Sequence, residues 1–138
     1  MKKLFVTAAA LATCWAGAAL ADASNTNLSA TLDGPSVLDG GDSDGSGTFS
    51  AIIDRQSNTL CYSLSVANIG NAGEAHIHEG PVGAPGRPVA QLTVTSGTCV
   101  LVGHALLDDM ASNPGDYYID VVHANTGADA VRGQITSS

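Results

Sequence analysis

Basic charge is scarce in this sequence. Five Lys and Arg stand against thirteen Asp and Glu in 138 residues, a formal net charge of -8, and the only lysines are Lys2 and Lys3 at the N-terminus. Phosphate recognition needs a basic face, so nucleic acid is excluded as a partner. The length suits one domain and excludes a multidomain enzyme. Long helical periods are missing too, since only Ala105 to Ser112 gives a 3.6-residue repeat room to develop. Catalytic sets are equally wanting. Asp108 and Asp109 are adjacent on that short helix, where neighbours do not face each other, and no Ser lies in a nucleophile elbow. No catalytic residue is therefore assigned, and the sequence does not point to an enzyme.

What is present begins with a leader pattern. Lys2 and Lys3 form a charged start, Leu4 to Trp15 a short apolar run, and Ala19-Leu20-Ala21 a small-x-small cleavage site. Residues 1–21 read as a secretory signal peptide and 22–138 as the mature domain, exported to the periplasm or secreted, with no membrane span. A retained anchor, or a lipoprotein signal at Cys14 with the ill-fitting Thr13 before it, are the alternatives. Cleavage before Asp22 would remove the only Trp and leave three arginines against thirteen acids, a net of -10. Two cysteines remain, Cys61 and Cys99. An oxidising compartment favours their pairing as a disulfide over two free buried thiols.

From Asp22 onward, short alternating runs are separated by turn residues. Leu60, Tyr62, Leu64 and Val66 share one strand face, and Phe49, Ala51 and Ile53 another, with Arg55 to Asn58 as the hairpin turn between them. Further strands fall at Asn27–Leu32, Glu74–Glu79, Val89–Thr95, Cys99–Gly103, Asp116–Ala124 and Ala130–Thr136, with Ser96-Gly97-Thr98 as a turn. The pattern predicts an all-β fold with one short helix: a Greek-key β-sandwich or flattened barrel of seven to eight antiparallel strands. Gly80 to Pro88 carries three prolines and three glycines, which bars it from a central strand and makes it an exposed loop.

His76-Ile77-His78 is the most informative tripeptide. Residues two apart on a strand project to the same face, so both imidazoles can converge on one metal ion or stand solvated at a sheet surface. His123 ends the strand from Tyr117 and is a third candidate ligand, provided a bulge near Val122 turns it away from the face of Ile119 and Val121. Three histidines without an available thiolate favour copper, then zinc, over calcium or magnesium. His104 is a possible extra ligand, and Glu79 a possible outer partner of the ligands. Asp42-x-Asp44-Gly45 echoes a calcium loop but lacks its closing Glu, so a solvated turn is the better account.

The blocks Gly45 to Asp54, Thr59 to Val66, Ala75 to Gly80, Asn113 to His123 and Val131 to Ile135 resemble, in order, those of the CHRD domain, named for chordin. Gly34-Pro35-Ser36 departs from the family's usual Glu-Val-Pro-Pro run. The resemblance implies an extracellular β-sandwich, immunoglobulin-like or superoxide-dismutase-like, without a settled activity. His76 to Gly80 and Val121 to His123 are also similar to copper-ligand segments of copper/zinc superoxide dismutase. That likeness implies His76, His78 and His123 as copper ligands and Arg132 as an anion-guiding residue, although the dismutase zinc loop has no counterpart. The expected function is an exported metal-binding CHRD-domain protein, copper foremost. The alternatives are an adhesion domain recognising another extracellular protein, or a dismutase-like redox enzyme.

Overall fold

The computed structural model describes residues 25–138, so the leader and Cys14 lie outside the described residues. Nine strands form one antiparallel sheet: β1 (Asn25–Asp33), β2 (Ser46–Asp54), β3 (Thr59–Ala67), β4 (Ala72–Glu79), β5 (Arg87–Thr93), β6 (Ser96–Leu101), β7 (Tyr117–His123), β8 (Asp129–Gln134) and the two-residue β9 (Thr136–Ser137). Their order is β5-β4-β7-β8-β1-β2-β3-β6, with β9 beside β1. The outermost strands of that row, β5 and β6, are consecutive in the chain and joined only by Val94 and Thr95. Leu64 donates its N–H to the Thr95 carbonyl at 2.8 Å, and Thr93 donates its N–H to the Tyr62 hydroxyl at 2.9 Å. The sheet thus rolls until its two edges nearly meet, which is the flattened-barrel form of the expected all-β fold.

Period-two alternation explains which side chains go inside. In β2, Gly47, Phe49, Ala51 and Ile53 are buried while the residues between them are exposed or partly so. Leu28, Leu32, Leu60, Leu64, Ile77, Ile119 and Val131 join them in a single core. Helix α1 (His104–Ser112) adds Leu107 and Met110, three residues apart and fully buried, from its inner face. The Tyr117 hydroxyl donates to Asp109 of this helix, tying α1 to the first residue of β7.

The turn expected at Ser96-Gly97-Thr98 is instead part of β6, and the reversal lies at Val94 and Thr95. Gly97 has φ +78° where the β3–β6 register slips between Tyr62 and Ser63, so it is the extra residue of a bulge that only glycine enters cheaply. Beyond the bulge, Cys61 and Cys99 face each other across the strand pair, and the disulfide Cys61–Cys99 closes there.

Candidate metal centre

The adjacent strands β4 and β7 build the candidate site on the outer face of the barrel. Ala75 and Ile77 point into the core, so His76 and His78 point out, as the His-x-His spacing requires. On β7, Ile119 and Val121 are in the core, which turns Tyr118 and Asp120 outward. The register sets His76 opposite Asp120 and His78 opposite Tyr118. Nitrogens of the two imidazoles and an oxygen of Asp120 lie within 4.8 Å of one another. Donors bound to one ion at 2.0 to 2.2 Å in a tetrahedral arrangement would stand about 3.3 Å apart, so a small inward movement gathers all three.

Although this face is on the outside of the barrel, it is not bare. The loop between β4 and β5 folds back over it. Gly86 donates its N–H to the Tyr118 hydroxyl at 2.9 Å, Val82 donates to Gln134 Oε1 at 2.9 Å, and Arg132 Nη1 donates to the Val82 carbonyl at 3.2 Å. Asp120 is consequently only 2% exposed and Arg132 5%. The Tyr118 ring is stacked on the His78 ring at 4.7 Å, and the Arg132 guanidinium lies 4.4 Å over the same tyrosine. Since β7 runs between β4 and β8, Tyr118 is held between the histidine and the arginine. The prolines expected to expose this loop do keep Pro81 and Pro85 in solvent, while its polar backbone covers the sheet.

A hydrogen bond fixes how His78 is presented, and His76 lies among acidic neighbours. A carbonyl can only accept, so the 3.0 Å contact of His78 Nδ1 with the Gly86 oxygen places the proton on Nδ1. That turns Nε2 toward Asp120 Oδ2, 2.9 Å away. His76 turns Nδ1 toward Asp120 Oδ1 at 3.4 Å and its other nitrogen toward Glu74 at 3.6 Å. Apart from these ion-pair contacts, His78 Nε2 and Asp120 Oδ1 are buried without a hydrogen-bond partner. Burial pushes the Asp120 carboxyl above the usual carboxylate range; Asp129 adds to this, while His78, His76 and Arg132 oppose it.

The third donor is Asp120, and His123 is not among the three. The bulge expected near Val122 is present in the β7–β8 pairing between Val121 and Val122. It does not bring His123 to the pair, because the register sets His123 opposite Ala72, four residues along β4 from His76. His123 instead faces Asp42 at 3.4 Å beside the loop expected to be a solvated turn. His104 is engaged elsewhere, by Asn58 at 2.9 Å and Asp108 at 3.2 Å. Glu79 points into solvent and pairs with Arg87 at 2.8 Å. Arg132 stands close to the site but is bound to Asp129 and the loop carbonyls. Asp120 was legible in principle: it is the polar residue inside Tyr117 to Val122, with a β-branched residue on either side, in the same setting as His76 and His78 around Ile77.

An antiparallel barrel with two histidines and one carboxylate converging beneath a glycine- and proline-rich loop defines an all-β domain with a three-donor cluster. The family model for the CHRD domain matches residues 28–135, most of the chain, and the protein belongs to that family. No curated protein and no solved structure matches it. Among the described residues, no helix is long and apolar enough to cross a membrane.

Proposed function

We propose that this CHRD-domain protein is exported and binds one divalent transition-metal ion through His76 Nδ1, His78 Nε2 and a carboxylate oxygen of Asp120. The observation that carries this is the convergence of nitrogens of His76 and His78 and an oxygen of Asp120 within 4.8 Å of one another, with His78 Nε2 standing 2.9 Å from Asp120 Oδ2. The Nδ1 proton is already committed to Gly86. A proton or a metal ion can lie between Nε2 and Asp120 Oδ2, and a metal ion bound there would take the place of the proton and use the same donor set. The Gly86 carbonyl on His78 is the kind of outer partner that fixes the tautomer of a ligating histidine.

Copper stands highest in the affinity series of the divalent first-row metals, above zinc, so Cu(II) is the proposed ion. Export is supported by the leader pattern at residues 1–21 and by the Cys61–Cys99 disulfide, a bond that persists in oxidising compartments. Calorimetric titration of the purified protein with Cu(II), and separately Zn(II), tests the site. One equivalent should bind, and His76→Ala and Asp120→Ala should each weaken binding by about 100-fold or more, beyond the 10 to 100-fold typical of losing an outer partner. Binding unchanged in both variants would overturn the proposal.

A further inference from the structure

The three donors rise from one side of one sheet, and this limits how they can surround an ion. His76 and His78 come from β4, Asp120 from β7 opposite His76, and all three project from the outer face. An ion held by them is contacted from the sheet side, and the hemisphere turned away from the sheet receives none of the three. We infer that a metal ion bound here keeps a coordination position for a small exogenous monoanion, a ligand of the size and charge of hydroxide or azide. The inference rests on the metal site proposed above.

The neighbouring donors are already engaged. Glu74 lies on the far nitrogen of His76, 3.6 Å from Nε2, and Glu79 is paired with Arg87. Among the described residues, no fourth histidine, cysteine or acid joins the cluster. Three of the loop oxygens are also committed, the Gly86 carbonyl to His78 and those of Val82 and Ala84 to Arg132.

Charge and access select the ligand class. A divalent cation with one carboxylate ligand leaves a residual positive charge; Arg132 beside it is balanced by Asp129, and the Glu74 carboxylate is exposed, so solvent screens it. A charge at this depth is costly unless neutralised, so a single negative ligand completes the site. Water can become that ligand by losing a proton, because a bound divalent ion lowers its pKa. The His78 side chain is 14% exposed and that of His76 25%. Entry is therefore past the edge of His76, a route for small ligands only. Open positions of this kind mark reactive metal sites, whereas structural sites are closed by protein donors.

Azide titration of the Cu(II)-loaded protein, followed by visible absorption and electron paramagnetic resonance, tests the inference. An azide-to-copper charge-transfer band saturating at one azide per copper, with a shifted resonance spectrum, is the expected result. Copper that binds at one equivalent but whose spectra do not respond to azide would overturn the inference and leave the metal site standing. A wild-type protein that holds no copper would overturn both.

Discussion

Asp120 carries opposite consequences for the metal-free and the metal-bound protein. It is a buried carboxyl whose ionised form is disfavoured by desolvation, so in the absence of metal it weakens the fold at neutral pH. Asp120→Asn keeps the size and removes the charge. In the presence of a chelator the variant should melt at the same temperature as the wild type or higher. With metal at 100 times its dissociation constant the wild type should gain about 2.7 kcal/mol and the variant almost nothing. Thermal unfolding with and without metal checks both halves, and a variant stabilised by metal as much as the wild type would remove Asp120 from the site.

Gly86 is constrained by space. A Cβ there would stand 2.5 Å from the Glu79 carbonyl oxygen and 2.9 Å from Tyr118 Cε1. The first neighbour is backbone and the second a ring stacked on His78, so neither yields easily. Gly86→Ala should cost about 1 to 3 kcal/mol by overpacking and should weaken metal binding as well, because the same residue orients His78. A chemical-denaturation curve and a metal titration on the one variant test the two effects separately.

Among the elements, β7 does most to join the fold to the site. Its inner face supplies Tyr117, Ile119 and Val121 to the core, and its outer face supplies Tyr118 and Asp120. At its start, the Tyr117 hydroxyl donates to Asp109 of α1 and holds that carboxyl below the usual range, helped by Asn113. A depressed carboxyl stabilises the fold above its unfolded pKa near 4, and that contribution fades as pH falls through the lower folded value. Tyr117 itself is pushed upward, by burial first and then by Asp109, so its contribution persists at neutral pH and is lost only in strong alkali. Tyr117→Phe should therefore be less stable than wild type at pH 7, with the gap narrowing below pH 4. Melting temperatures of the two proteins between pH 7 and pH 2 check the sign.

The same strand shows how far the sequence could be read. Alternation marked Phe49, Ile53, Leu60 and Leu64 as core residues and put His76 and His78 on one face, because period two is a local property of an extended chain. Which strands lie side by side is not local. Only the β4–β7 register reveals that His76 meets Asp120 while His123 is drawn off to Ala72 and Asp42. The turn between β5 and β6 was misplaced for a related reason. Gly97 carries the signature of a turn, yet its positive φ is spent on a bulge inside a strand.

At the scale of the whole molecule, the barrel is held from two sides by different means. One edge strand, β5, is anchored beside the site through β4, and the other, β6, is tied to β3 by the Cys61–Cys99 bond, which spans 38 positions in sequence. Closing a loop of that length removes unfolded-state entropy worth about 4 kcal/mol on the chain-entropy model. Cys61→Ser/Cys99→Ser should therefore unfold at markedly lower denaturant. The strands that carry His76, His78 and Asp120 are β4 and β7, and neither pairs with β3 or β6. Below its unfolding transition, the double variant should accordingly bind metal with wild-type affinity. Denaturation midpoints and metal titrations measured together distinguish the cases. A midpoint shift without loss of affinity is the expected outcome, and lost affinity in a protein still folded by circular dichroism would show that the closure of the barrel extends its influence to the metal centre.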